Sequence, residues 1–172
     1  MHFNEFIRKR GDEFPFCVSL SDTNHADQPL RYVNESFKSL TGYSDEEILG
    51  RNCRFLQNGQ GDPETLEKIR TAVKNRRPAC VDLMNFKKDG EKFFNRLILL
   101  PVKDKTPAFL GLQHEIPEAS YKKFVYANVE ELLDRTLNPL AILLMADMKS
   151  EDLYKAQFEG FTQRVRDYIL RQ

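Results

Sequence analysis

The sequence predicts an α+β fold: a five-stranded antiparallel sheet with short helices on one face, followed by an all-helical C-terminal extension. Five segments rich in aromatic and β-branched residues are bounded by turn signals, helix-cap residues stand between the second and third segments, and no strand pattern occurs after residue 115. We therefore expect an N-terminal cap over residues 1–13, a sheet domain over residues 14–115 and a helical extension over residues 116–172.

The strands follow from local composition and from the turns between them. The polar segment 22–29 joins the first two strands, and segments that contain Gly or Pro, 88–91 and 104–107, separate the last three. The predicted strands are residues 14–21, 31–34, 79–87, 92–102 and 108–115.

Two helix-start signals lie between the second and third strands. The capping-box pattern Ser44–Glu47 predicts a short helix that ends at Gly50. Asp62 as the N-cap and Pro63 in the first turn predict a longer helix, which Pro78 ends. The residues between these two helices are expected to form another short helical turn.

Composition limits the classes of partner. The 172-residue chain carries 26 Lys+Arg and 26 Asp+Glu, and this balance gives no long-range field for nucleic acid or an anionic membrane. Cys17, Cys53 and Cys80 lack metal-site spacing, and the N-terminus lacks an apolar export signal. The apolar run 140–146 is too short to cross a bilayer. We expect a cytoplasmic protein without a metal, a nucleic-acid partner or a membrane anchor.

The segment Gly50–Gln57 places one thiol, Cys53, among side chains that suit a phosphorylated heterocyclic ligand. Arg54 offers a forked cation for phosphate, and Asn52 and Gln57 offer amides that donate and accept toward a ring edge. Spacing alone leaves open an alternative, in which Cys53 is a small buried hydrophobic residue beside a solvated arginine.

The segment Gly50–Gln57 also resembles the signature of the light-oxygen-voltage (LOV) family, the flavin-binding photosensory branch of the PAS domains. Further motifs follow in the order of that family over residues 14–115, and a chance match to so many of them is improbable. These motifs are Leu30–Phe37, Tyr43–Gly50, Lys68–Arg70, Val81–Asn85, Phe93–Asn95 and Gly111–Gln113. The resemblance implies a PAS-like sheet and a bound flavin.

The resemblance assigns a role to each candidate site residue, with FMN as the cofactor. Blue light would let the Cys53 sulfur add reversibly to ring carbon C4a while N5 is protonated. Gln113 would relay this change, because its amide offers both a donor and an acceptor. The other implied contacts are Arg54 and Arg70 with the phosphate, Asn52 and Gln57 with the ribityl chain and ring edge, Asn85, Asn95 and Gln113 with the pyrimidine edge, and Leu97 with the ring surface.

The hairpin between the third and fourth strands tests this assignment, because the resemblance implies that Asn85 and Asn95 share a face. A two-residue Asp89-Gly90 turn would separate them, whereas a three-residue turn with Gly90 in the left-handed conformation keeps them together. We predict the three-residue turn. The apolar residues then divide into Val81, Leu83, Leu97 and Leu99 on the ligand side and Met84, Phe86, Phe94, Ile98 and Leu100 on the back.

The extension carries apolar residues at helical spacing over residues 121–137 and 154–168. These helices could cover the apolar back of their own sheet or contact a second subunit. We favour the subunit contact, and hence a homodimer whose association changes with light.

These expectations describe a photoreceptor that acts on an unknown downstream protein, and not an enzyme. The sequence shows no Gly-rich nucleotide loop and no basic recognition helix. Two alternatives remain open: a flavin oxidoreductase that uses Cys53 in the dark, and a PAS domain that binds another small ligand.

Overall fold

The structure, a computed structural model, describes residues 3–102, 106–123, 131, 134–137, 163 and 167. The chain divides into two compact units, His2–Lys123 and, together with Met1, Phe124–Gln172. In the second unit the described residues are helical, and the predicted extension helices otherwise lie outside the described residues. None of the helices described is both long and apolar enough to span a membrane.

Five antiparallel strands form one sheet in the order β2-β1-β5-β4-β3, which confirms the predicted α+β fold. β1 begins at Cys17 and not at Phe14, because the Phe16 carbonyl accepts a hydrogen bond from the Asn34 side chain (2.9 Å) instead of pairing with a strand. The strands are β1 (Cys17–Asp22), β2 (Leu30–Val33), β3 (Ala79–Phe86), β4 (Lys92–Val102) and β5 (Ala108–Ile116).

The helices of the first unit begin at capping residues. The helix α3 carries the predicted capping box, in which Ser44 N donates to Glu47 Oε2 (2.9 Å), and it ends at Ile48, before Gly50. The helix α4 begins at Pro63, where Asp62 Oδ2 accepts from Thr65 N (2.9 Å). The α-helices are α1 (Phe3–Arg10), α2 (Glu35–Thr41), α3 (Asp45–Ile48) and α4 (Pro63–Lys74), and the 3₁₀ turns are Gly11–Glu13, Cys53–Gln57 and Glu118–Ser120.

The hairpin between β3 and β4 has the predicted three-residue turn. Gly90 is left-handed (φ 90), and Lys87 N donates to Glu91 O (2.9 Å), which leaves three residues in the loop. Phe86 pairs with Lys92, so residues of equal parity lie opposite each other. The prediction that Asn85 and Asn95 share a face is therefore confirmed.

The helices between β2 and β3 pack on one face of the sheet, which we call the site face. Cross-strand pairing places Cys17, Gln113, Leu97 and Val81 in one row across this face. One core cluster joins Cys17 and Val33 of the sheet to α2, α3 and the turn Cys53–Gln57. A second cluster joins the predicted ligand-side residues to α4. Its members are Val81, Leu83, Leu97, Leu99, Leu66 and Ile69.

The opposite face, which we call the back face, carries a buried ion pair that the sequence analysis did not identify. Arg96 Nε and Nη2 donate to the two carboxylate oxygens of Asp82 at 2.7 and 2.8 Å, and both side chains are almost fully buried. Lys122 N donates to Asp82 Oδ2 (2.8 Å), and the Tyr121 ring lies 4.6 Å from the ring of Phe94. The residues that follow β5 therefore cover this part of the back face.

Candidate functional site

Backbone pairing fixes the position of Cys53. Gly50 N donates to Leu30 O (2.9 Å) and Leu30 N donates to Arg51 O (2.8 Å), so the chain is attached to β2 just before the 3₁₀ turn. Asn52 caps that turn, since its Oδ1 accepts from Arg54 N (2.9 Å). Cys53 is thus the first residue of a capped turn whose entry is anchored to the sheet.

The Cys53 thiol lies in an apolar environment and keeps its proton. The side chain is partly buried and packs against the core cluster that contains Cys17, Phe37 and Leu56. Burial raises the pKa of Cys53 above its ordinary value, and the nearby Arg54 charge lowers it by a smaller amount. A neutral thiol can supply both a sulfur and a proton, but it is a weak nucleophile and reacts only with an electrophile that is itself activated.

Asn52 and Arg54 meet at Asp27, in the connection between β1 and β2. Asn52 Nδ2 donates to Asp27 O (2.6 Å), and Arg54 forms an exposed ion pair with the Asp27 carboxylate. The amide of Asn52 therefore has two protein partners, its cap and Asp27. An exposed ion pair contributes only ~0–1 kcal/mol, so the guanidinium of Arg54 could exchange the carboxylate for a phosphate at low cost.

Arg70 lies on the exposed surface of α4. Its Nη1 lies 3.2 Å from Glu67 Oε2, and both side chains are about two-thirds exposed, at 66% and 67%. Like Arg54, Arg70 pairs with an exposed surface carboxylate, and it is open to a competing anion.

Gln57 lies against the start of α4. A Cβ placed on Gly61 would stand 3.1 Å from Gln57 Oε1 and 2.8 Å from Leu66 Cδ1, so a side chain at position 61 would push against both. Leu66 belongs to the core cluster of the site face. Gln57 therefore borders the apolar surface that Leu97 helps to form.

Asn85 and Asn95 form a buried amide pair on the site face. Asn95 Nδ2 donates to Asn85 Oδ1 (3.0 Å), and Asn85 Nδ2 donates to the Met84 carbonyl (3.1 Å). Asn95 Oδ1 is buried and has no hydrogen-bond partner among the residues that the structure describes. An unpaired buried acceptor costs about 1–3 kcal/mol, so this oxygen suits a ligand that brings an N–H donor.

Gln113 lies at the centre of the site face, directly opposite Cys17 on β1 and Leu97 on β4. Its side chain is buried, and Nε2 donates to Ser19 Oγ (3.2 Å). Gly111 is opposite Ser19, and a Cβ at Gly111 would lie only 2.6 Å from Ser19 Oγ. The absence of a side chain at Gly111 therefore makes room for the polar contact between Ser19 and Gln113.

The structure brings most of the candidate residues to one surface. Asn85, Asn95, Leu97 and Gln113 share the site face, and Cys53 reaches it through the cluster that contains Cys17. The side chains of Arg54 and Arg70 are exposed, and each pairs with a nearby surface carboxylate.

Sequence analysis assigned no site role to three site-face residues of β1 and β5, namely Cys17, Ser19 and Gly111, although Gly111 lies in the motif Gly111–Gln113. Their position depends on the β1–β5 register, in which Ser19 pairs with Gly111, a residue far along the chain. No local turn fixes that register, so the only sequence signal for Ser19 was a serine within an apolar strand.

Comparisons with known proteins agree with this geometry. A family model described as a PAS domain matches residues 15–118. The chain is 33% identical over 172 residues to "Blue-light-activated histidine kinase 2" of Erythrobacter litoralis, covering 94% of this chain and 49% of that protein. The crystal structure of a Rhodobacter sphaeroides LOV protein superposes with a TM-score of 0.74 at 28% identity, covering 98% of this chain and 92% of the other.

A light-oxygen-voltage domain whose mechanism was studied with a flavin analogue superposes with a TM-score of 0.64 at 32% identity, covering 74% of this chain and 96% of that one. The chain spans only part of its curated relatives. It covers 49% of the kinase and 13% of a phototropin from Oryza sativa subsp. japonica.

Proposed function

Because the chain belongs to the LOV branch of the PAS domain family, we propose that it is a blue-light receptor that binds FMN and bonds it reversibly to Cys53. The buried oxygen of Asn95 carries the assignment of a flavin-like ligand. It is an acceptor without a partner in the described part of the chain, it lies beside Asn85, and both face the surface that Cys53 borders. A ring with an N–H edge would satisfy it.

When bound, FMN supplies blue-light absorption and an excited ring whose carbon C4a accepts a thiol sulfur. Cys53 would supply both atoms that this addition needs: the sulfur that bonds to the ring carbon and, from the broken S–H bond, the proton that the ring nitrogen takes up. Both would return to Cys53 in the dark. Burial keeps the Cys53 thiol neutral in the dark, so light and not a catalytic base starts the reaction.

The remaining residues bind and orient the cofactor. Asn85 and Asn95 meet the pyrimidine edge, and Leu97 packs on the ring with its neighbours of the site face. Gln57 and Asn52 contact the ribityl chain and ring edge, and Arg54 and Arg70 exchange their surface carboxylates for the phosphate. Two cations at this end favour FMN over riboflavin.

Gln113 passes the change at N5 to the rest of the protein. Protonation of the ring nitrogen would turn an acceptor into a donor, and the buried Gln113 amide would then present its oxygen in place of its nitrogen. Gln113 is three residues from the end of β5, so its rearrangement can change how the extension docks and how the protein associates with itself or a downstream protein. We also propose that the chain is a cytoplasmic signalling module without catalytic turnover and that it acts as a homodimer.

Illumination tests this function directly. The FMN-loaded protein should lose its blue absorption under blue light without an added reductant and regain it in the dark. Cys53→Ala should bind FMN and stay yellow, whereas the control Cys80→Ala, which changes a thiol on the back face, should bleach normally. Sizing of the dark and illuminated protein then tests the change in association.

Three results would contradict the proposal. Bleaching that needs an added electron donor would favour a flavin oxidoreductase. A colourless protein that cannot be loaded with FMN would favour a PAS domain for another ligand. Normal bleaching of Cys53→Ala would remove Cys53 from the chemistry.

A further inference from the structure

Ser19 is a buried polar residue that the proposed chemistry does not use. It lies on β1 with its side chain on the site face, and it is only 5% exposed. Its neighbours along the strand, Val18 and Leu20, are buried and apolar. A hydroxyl in such a position is costly to bury unless it has hydrogen-bond partners.

The partner of Ser19 is the amide of Gln113. Gln113 Nε2 donates to Ser19 Oγ (3.2 Å), and Ser19 Oγ lies 3.5 Å from Gly111 O, at the limit of hydrogen bonding. Gly111 completes the arrangement, because a Cβ there would lie 2.6 Å from Ser19 Oγ and 3.6 Å from Gln113 Nε2. The three residues form one contact between β1 and β5.

We propose that Ser19 is a positioning residue whose hydroxyl satisfies the Gln113 amide in both of its orientations. The inference rests on the proposed function, in which Gln113 exchanges its nitrogen for its oxygen toward the flavin. A hydroxyl can accept or donate by rotating about its C–O bond. When Gln113 Oε1 faces the ligand, Nε2 donates to Ser19 as observed; when Nε2 faces the ligand, Oε1 accepts from the same hydroxyl.

The two orientations depend on Ser19 to different degrees. A buried carbonyl oxygen tolerates incomplete hydrogen bonding better than a buried N–H does. Loss of the Ser19 hydroxyl should therefore penalise mainly the orientation that turns Nε2 toward β1. That is the orientation of the illuminated state, so the state formed by light should decay faster.

Two comparisons isolate the hydroxyl. The first is between the wild type and Ser19→Ala, which deletes the hydroxyl. The second is between Ser19→Thr and Ser19→Val, whose side chains are nearly equal in shape but differ by a hydroxyl. Ser21→Ala is the matched control, since Ser21 lies on the same strand and face but pairs with Phe109 and not with Gly111. Dark recovery of the blue absorption and the light-minus-dark infrared shift of the Gln113 side-chain carbonyl are measured for each.

Ser19→Ala and Ser19→Val should recover at least about fivefold faster than the wild type, the lower end expected for one unpaired buried group. They should also alter the Gln113 carbonyl shift, while Ser19→Thr and Ser21→Ala keep both properties near those of the wild type. Unchanged recovery and an unchanged carbonyl band in Ser19→Ala and Ser19→Val would overturn the inference alone. A wild-type protein that never bleaches would overturn the proposed function, and this inference with it.

A measurement on the flavin-free wild type keeps the test decisive if the variants fold poorly. The Nε2 protons of Gln113 should exchange with solvent at least about tenfold more slowly than those of the exposed Gln60, as expected for a buried, bonded amide. Equal exchange rates would show that the bond to Ser19 is absent and would overturn the inference.

Discussion

Individual residues of the site face show that the fold leaves polar groups incompletely satisfied where a ligand is proposed to bind. Asn95 Oδ1 has no partner in the described part of the chain, and Asn85 Nδ2 donates to the carbonyl of the adjacent Met84. By contrast, both polar atoms of the buried Asn34 side chain have hydrogen-bond partners. The buried Asn34 side chain bonds Val18 N, Phe37 N and the carbonyls of Gly11 and Phe16. This contrast with Asn34 is what the proposed ligand-binding role of Asn95 predicts.

The Asn85 and Asn95 pair should therefore serve binding more than stability. Replacing both with leucine removes the pair together with the unpaired oxygen, and such paired replacements change stability little. We expect Asn85→Leu/Asn95→Leu to unfold in urea within about 1 kcal/mol of the flavin-free wild type, and its FMN affinity to fall at least about tenfold. A large loss of stability with unchanged affinity in an FMN titration would contradict this assignment.

The two surface arginines should discriminate between flavins by their phosphate. Arg54→Ala and Arg70→Ala each remove a charged hydrogen bond, worth about 1.5–3 kcal/mol, from FMN but not from riboflavin. We expect each to weaken FMN binding at least about tenfold relative to riboflavin, while stability changes by less than about 1 kcal/mol. Arg77→Ala, at an exposed position just after α4, is the control. Equal losses for both flavins in parallel titrations would exclude a phosphate contact.

Single residues also mark the limit of sequence analysis. The parity of one hairpin correctly predicted that Asn85 and Asn95 share a face, because short-range turn geometry determines it. The position of Cys53 depends instead on hydrogen bonds between Leu30 of β2 and the residues just before the Cys53 turn. Ser19 was missed, because its contact with Gln113 depends on a pairing between distant strands. Local chemistry does not encode that register.

Among the elements, those with clear end signals were predictable. The capping box of α3 and the Asp62 cap of α4 were both found. The helix α2 was missed, although Asn34 caps its start and the left-handed Gly42 (φ 77) its end. The predicted hairpin also held unused information. A three-residue turn places Asp82 opposite Arg96, so the buried ion pair of the back face could have been inferred from the sequence.

That ion pair connects the β3–β4 hairpin to the segment that follows β5. Asp82 also accepts from Lys122 N, and Arg96 Nη2 donates to Ser120 O (3.3 Å). Lys122 has an unusual left-handed backbone (φ 56), and its Nζ lies 3.1 Å from Asp62, the cap of α4. Hydrogen bonds from Thr65, followed by those from Lys122, lower the pKa of Asp62 to about 2. The Asp82 carboxylate of β3 thus binds the backbone N–H of Lys122, and the Asp62 carboxylate at the start of α4 binds its ammonium group.

Removing one partner of the Asp82–Arg96 ion pair should lower the free energy of unfolding more than replacing both partners with apolar residues. Arg96→Met leaves the buried Asp82 carboxylate without its cationic partner, and we expect it to lower the free energy of unfolding by about 3–5 kcal/mol, whereas Asp82→Leu/Arg96→Met should lose much less. Urea unfolding of the double-mutant cycle measures both. Hydrogen exchange of residues 118–123 should quicken in the single variants. Arg70→Met, in an exposed pair, is the control and should change stability by less than about 1 kcal/mol. Similar stability of Arg96→Met and the wild type would contradict the role of the pair.

At the scale of the whole molecule, the two faces of the sheet carry different groups of residues. The site face carries the candidate flavin residues, and the back face carries the ion pair that holds the start of the segment after β5. β5 belongs to both, since Gln113 lies on the site face and the chain leaves the sheet after Ile116. Beyond residue 123, the few described residues of the extension, 131, 134–137, 163 and 167, are helical, as its spacing predicts. The sequence does not predict how the extension packs, because an apolar helix face does not specify its partner.

Two thiols with raised pKa values should make the folded molecule sensitive to alkali. Burial raises the pKa of Cys17 and of Cys80 from 9.0 to about 12. Above about pH 9 the unfolded chain loses these protons and the folded chain keeps them, so unfolding releases protons and stability falls as pH rises. We expect a loss of roughly 1 kcal/mol per thiol per pH unit between about pH 9 and pH 11, measured by urea unfolding. Cys17→Ala/Cys80→Ala should show a flatter pH dependence over that window than the wild type. If the variant retains the full alkaline slope, these thiols are not its origin, and Tyr32, whose pKa burial also raises to about 12, is the next group to replace.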